Sequence, residues 1–127
     1  MYKLNPDVDT SGMDSLTMFE IPPVCLVELF GSFSDGDGYK VSRRHVFTSD
    51  RGDVFTVYDW KQTTLYHGED SDAPTPDEFW RSRELKYLRI GGRVGSNPRP
   101  FLKWLLGEYE LRTALRELPR GRSEGLA

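Results

Sequence analysis

The sequence predicts an α+β fold: an antiparallel β-meander with a short helix, one further strand and a long C-terminal helix. Turn signals rich in Asp and Gly separate runs of strand length, as a succession of hairpins requires. Thr75-Pro76-Asp77-Glu78 has the form of a helix start: a capping threonine, a proline suited to the first turn and a glutamate placed to reach back. A final segment between Asn97-Pro98 and Pro119 keeps apolar residues at helical spacing.

Residues 1–20 are polar and show little periodicity, which predicts an N-terminal arm outside the fold. A single domain is expected over residues 21–118, and a polar tail over 119–127. Within the domain, residues 24–33 read as the first strand, with Cys25, Val27, Leu29 and Phe33 on one face at period two. Ser34-Asp35-Gly36-Asp37-Gly38 is a turn, residues 39–48 the second strand, Asp50-Arg51-Gly52-Asp53 the next turn and residues 54–60 the third strand. Phe55 and Val57 share one face of that strand; Val54, Thr56, Tyr58 and Trp60 share the other. Both faces are apolar or aromatic, as in a central strand. A short fourth strand is expected near residues 63–66, a helix from Pro76 to about Arg83, and a strand over 85–90 closed by Gly91-Gly92. The last helix carries Phe101, Leu102, Leu105, Leu106 and Tyr109, then Leu111, Leu115 and Leu118. Its stripe changes phase near Gly107, which implies a kink or two contact faces.

The 127 residues carry a formal net charge of −3, distributed unevenly. Residues 1–79 hold 6 basic and 15 acidic side chains, a net −9; residues 80–127 hold 11 basic and 5 acidic, a net +6. The split fits a nucleic-acid face on the basic half, two halves that attract one another within one fold, or subunits paired head to tail. Arginine outnumbers lysine 12 to 5, which a GC-rich coding sequence explains first and a need for forked contacts to phosphate second. The single cysteine, Cys25, excludes an internal disulfide and sits in an apolar run as a small core residue. No apolar leader or membrane-length run is seen, so a cytoplasmic location is expected, that of a host cell if the protein is viral, with no membrane partner.

Catalytic and metal motifs are wanting. Asp35-Gly36-Asp37-Gly38 opens like a calcium loop, but Tyr39 stands at the third ligand position and no glutamate closes it. His45 and His67 have no Cys/His metal spacing around them, and no nucleophile elbow is present. No catalytic residue, metal site or cofactor is therefore assigned. Glu69, Asp70 and Asp72 read as a solvated acidic loop, and Arg51-Gly52-Asp53 as a hairpin turn.

The candidate site is the segment Gly91-Gly92-Arg93-Val94-Gly95-Ser96-Asn97-Pro98, which follows a strand and opens a helix. Unpaired amides at such a junction attract anions. Gly92, Arg93, Gly95, Ser96, Asn97 and Arg99 are assigned to it; the competing reading is an ordinary strand-to-helix turn. Arg89, Lys103 and Trp104 extend it as a basic patch with a stacking surface, and Arg81 and Arg83 continue it. Tryptophans such as Trp80 and Trp104 are more often core or interface residues than stacking platforms. Failing this site, Arg43 and Arg44 on the second strand are next in line for an anion.

Val54-Phe55-Thr56-Val57-Tyr58-Asp59-Trp60-Lys61, Leu88-Arg89-Ile90-Gly91-Gly92 and Phe101-Leu102-Lys103-Trp104-Leu105 resemble a pattern in small accessory proteins of bacteriophages and large DNA viruses. The resemblance covers residues 40–106 and implies a viral accessory protein, with no activity and no site residue attached. The expected function is binding without catalysis, to nucleic acid through the basic C-terminal half. The alternative is a protein–protein module, a homo-oligomer or an inhibitor of a host protein, acting through the acidic N-terminal half. An enzyme ranks third.

Overall fold

A computed structural model describes residues 1–117. The expected tail, residues 119–127, and Leu118 lie outside the described residues. In chain order the elements are β1 (Tyr2–Leu4), β2 (Met13–Ile21), α1 (Pro23–Phe30), β3 (Ser34–Asp35), β4 (Arg43–Ser49), β5 (Val54–Tyr58), α2 (Thr64–His67), α3 (Pro76–Arg81), β6 (Lys86–Arg93) and α4 (Arg99–Glu117). The fold is α+β, and its strands form one antiparallel sheet in the order β1-β4-β5-β6-β2, with β3 attached beside β4. The meander is β4-β5-β6.

Three readings are corrected here. The N-terminal residues are not an arm: β1 and β2 form the opposite edges of the sheet, Tyr2 to Leu4 against β4 and Met13 to Ile21 against β6. Local composition missed this because the apolar members of β2, Phe19 and Ile21, gain their worth only once Leu88 and Ile90 lie beside them. Residues 24–33 are mostly helix rather than strand. Pro23 suits a first helical turn, and Gly31 ends α1 at φ 78°, a conformation open to glycine, with its N–H on Val27 O at 2.8 Å. Residues 64–67 are likewise a helical turn, capped by the Thr63 hydroxyl, and not a fourth strand.

The α3 start forms as its sequence implies: Thr75 Oγ1 accepts from Glu78 N, and Glu78 Oε1 accepts from Thr75 N. Cross-strand pairing puts Phe19, Phe47, Phe55, Val57, Leu88 and Ile90 on one face of the sheet. Helices α1, α3 and α4 cover that face through Leu26, Phe79, Trp80, Phe101 and Leu105, making one core. Helix α4 runs unbroken past Gly107, but Leu111 and Leu115 are exposed. The change of stripe phase thus marks where the helix leaves the core.

The charge asymmetry is partly met inside the fold. Arg83 and Arg112 both reach Glu28, at 2.9 and 3.8 Å, and the basic β6 pairs with β2. No helix among the described residues is long and apolar enough to cross a membrane.

Candidate functional site

Among the described residues, the sheet's second face carries no helix. Register places Lys3, Arg44, Val46, Thr48, Thr56, Tyr58, Gly91, Arg89, Met18 and Tyr87 on it. Because β1 and β2 sit at opposite edges, residues 5–12 must cross the sheet, and they do so on this face: Arg44 Nη1 donates to Thr10 Oγ1 at 3.0 Å. Between this strap, the 36–41 loop and the strands below lies a pocket of about 250 Å³. Arg44, Thr56, Tyr58, Trp60 and Gly91 form its floor and wall, and Asp14 and Asp37 stand at its lining. Gly91 keeps the floor low. A Cβ there would stand 2.6 Å from Thr56 Oγ1 and 3.2 Å from the Tyr58 ring.

Cations gather around Trp60. Lys40, Lys61 and Arg89 lie 5.7, 5.4 and 5.5 Å from its ring, and Tyr58 meets it edge-on at 6.4 Å. Lys61 N–H donates to Lys40 O at 2.7 Å, and Lys61 takes φ 58°, uncommon for a residue with a side chain. That local conformation sets both lysines beside the same indole. Among the described residues, ion pairs join Arg43–Asp77, Arg83–Glu28, Arg112–Glu28 and Lys86–Glu84; Lys40, Arg44, Lys61 and Arg89 enter none. Arg44 Nε is buried and has no hydrogen-bond partner among these residues. A buried donor without an acceptor costs about 1–3 kcal/mol, which marks this guanidinium as incompletely satisfied within the fold.

The residues singled out in the sequence do not come together as one anion site. Gly92 is buried in β6, paired with Asp14 and Phe55, and is not in a loop. Its missing side chain makes room for Leu16 and Phe55. Arg93 ends the strand, exposed, and Gly95, at φ 88°, turns the chain. Ser96 N is bonded to Arg93 O, Arg99 N to Asn97 Oδ1, and Leu102 N to Pro98 O, while Pro98 and Pro100 have no N–H to offer. The hollow that Asn97 and Pro100 help line also holds Asp50 and Asp53 against Arg51. Lys103 is exposed; Trp104 packs on Tyr2, Phe30, Phe47 and Phe101 at 5.2–5.9 Å and is no stacking platform. Arg89 alone of the set belongs to the open-face patch. Arg44 stands there as well, while its neighbour Arg43 points to the helical side and pairs with Asp77. Reading the sequence missed Trp60, Lys40 and Lys61 as site residues; their signal was the alternation of Thr56, Tyr58 and Trp60 beside basic residues.

On the helical side two buried polar groups anchor structure. Asp59 accepts from Ser42 N and Arg43 N at 3.0 and 3.1 Å and from Ser42 Oγ at 2.8 Å; Ser42 Oγ accepts from Trp80 Nε1 at 3.1 Å. Burial pushes the Asp59 carboxyl above the usual range, although the Ser42 and Arg43 donors oppose this. His45, almost fully buried among Phe30, Phe33 and Phe47, sits with Nε2 3.0 Å from Gly31 O, and its Nδ1 has no partner among the described residues. Burial holds the imidazole below the ordinary histidine value, against the Gly31 contact. The unfolded chain therefore binds this proton more readily than the fold. Stability is expected to be full above the ordinary histidine pKa, about 6.5, and to fall as pH drops below it toward the lowered folded value. Urea melts across pH 5–7.5 check this: His45→Gln should remove that part of the slope, and an unchanged slope would refute it.

Among the described residues no three His, Cys, Asp or Glu side chains converge as metal ligands. No family model matches the chain, and a search of curated proteins finds no significant relative.

Proposed function

We propose that this protein binds single-stranded nucleic acid, without catalysis, beside the strap on the helix-free face of its sheet. One observation carries the reading. Four cations with no ion-pair partner among the described residues, Lys40, Arg44, Lys61 and Arg89, surround the rings of Trp60 and Tyr58 on the face that these residues leave without a helix. Cations following a phosphate backbone, interleaved with aromatic faces for bases, are what strand binding without duplex requires. The basic patch is thus moved from the α4 junction to the sheet, with Arg89 common to both. The role fits an accessory protein of a phage or virus acting in the host cytoplasm.

Titration of a labelled oligothymidylate at rising salt tests the reading. Binding should weaken steeply with salt. Lys40→Ala with Lys61→Ala should flatten the slope of log K against log salt by about 0.7 for each phosphate no longer neutralised. Trp60→Ala should weaken binding by about 1–3 kcal/mol with little change in slope. No binding by the wild type at about 50 mM salt would end the proposal, since this is the regime in which phosphate contacts are strongest.

The second reading, a protein–protein module or homo-oligomer, draws on a different feature. Met18 and Tyr87 are exposed beside the unpaired outer edge of β2, and Leu111 and Leu115 are exposed on α4. Edge strands and apolar patches of this kind accept partner chains.

A further inference from the structure

We infer that the pocket beneath the strap takes one nucleobase of the bound strand and that Arg44 reads its edge, so that binding favours guanine. This rests on the nucleic-acid reading above and adds base selectivity to it. At about 250 Å³ the pocket falls below the roughly 300–1,000 Å³ of sites that enclose drug-sized ligands. It has room for a ring system but not for a whole nucleotide. Its lining suits a ring: Tyr58 and Trp60 give aromatic surface, Met13 and Val41 apolar surface, and the bare backbone of Gly91 gives depth.

The polar groups choose among rings. Thr10 occupies Arg44 Nη1, and Nε, which with Nη2 makes the side-on pair of the guanidinium fork, is buried without an acceptor among the described residues. Two parallel donors match the O6 and N7 acceptors of guanine, whereas adenine offers a donor at the position of O6. Asp37, also in the lining, makes the pocket unfavourable for a phosphate but leaves an acceptor for ring N–H groups. The phosphates are left to Lys40, Lys61 and Arg89 outside it. The strap holds Arg44 in place through Thr10, so the fork is oriented before the ligand arrives.

The probes are fluorescein-labelled oligothymidylates of about ten nucleotides, within the usual span of a single-strand site, and the same strand with one central thymine replaced by guanine, adenine or cytosine. Wild type should bind the guanine probe about tenfold more tightly than the others, near the low end of what one forked contact discriminates. Arg44→Lys keeps the charge and loses the fork. It should lose the guanine advantage over the thymine, adenine and cytosine probes, whatever it does to affinity for all four alike, with circular dichroism confirming that it is folded. A measurement on the wild type alone makes the same distinction: free guanosine should compete for the guanine probe, and adenosine should not. Equal affinity for all four probes, or a guanine preference retained by Arg44→Lys, would overturn the inference and leave strand binding standing. Acetate competing as well as guanosine would reassign Arg44 to carboxylates and also overturn it. Failure of every probe to bind would remove the nucleic-acid reading itself.

Discussion

Replacing Phe101 with alanine is expected to lower the free energy of unfolding by about 3–5 kcal/mol. The ring is fully buried and stacks on Phe55 at 4.9 Å, nearly parallel, with Tyr2 and Phe47 each 5.2 Å away. It is the point where α4, the central strand β5 and the edge strand β1 meet. Truncation leaves a cavity walled by other rings, which cannot collapse into it without leaving their own neighbours. Small domains have only about 5–15 kcal/mol of stability in all, so the variant should melt at markedly lower urea. A loss below about 1 kcal/mol would mean that α4 is not held as described.

Replacing Asp59 with alanine should cost about 2–5 kcal/mol, for a different reason. The side chain adds little apolar contact, but its removal strands the Ser42 and Arg43 amides and the Ser42 hydroxyl in a buried place. Each stranded donor costs about 1–3 kcal/mol, although the hydroxyl can turn to a new partner. Because Ser42 Oγ also holds Trp80 Nε1, the damage should reach α3, and the Trp80 fluorescence should change. Asp59→Asn keeps an acceptor for the amides and should cost clearly less. Equal losses for the two variants in urea melts would show that the network is not what Asp59 supplies.

How far each element can be read in the sequence follows from how local its causes are. The capping box at Thr75, the turn at Asp50-Arg51-Gly52-Asp53 and the β4–β5 hairpin depend on neighbours within a few residues, and they form, although the first strand of the hairpin starts at Arg43 rather than at residue 39. Residues 13–21 look polar because Asp14, Ser15 and Glu20 face solvent, and their place depends on a strand far along the chain: Met18 pairs with Arg89. Gly91 and Gly92 read as a loop because glycine in a strand interior weakens it. Here each is the strand residue that lets Thr56, Tyr58, Leu16 and Phe55 approach. For the site, the residue types are visible: Arg44 and Arg89 both stand out as basic candidates. That Arg43 finds a carboxylate and Arg44 none is decided by which face each one takes, and a single step of strand alternation separates them.

The strap and its two edge strands have a consequence for how the chain folds. Tyr2 pairs with Ser49, and Met13 pairs with Arg93, so both segments leave the ribosome well before their partners. The β4–β5 hairpin can close early, whereas β2 has nothing to add to until β6 has emerged. Pairings so distant in sequence carry a large loop-closure entropy and slow the search for the native state. During synthesis, then, residues 13–21 wait as an unsatisfied strand with Leu16, Phe19 and Ile21 uncovered. The pocket under the strap is complete only when that last edge docks.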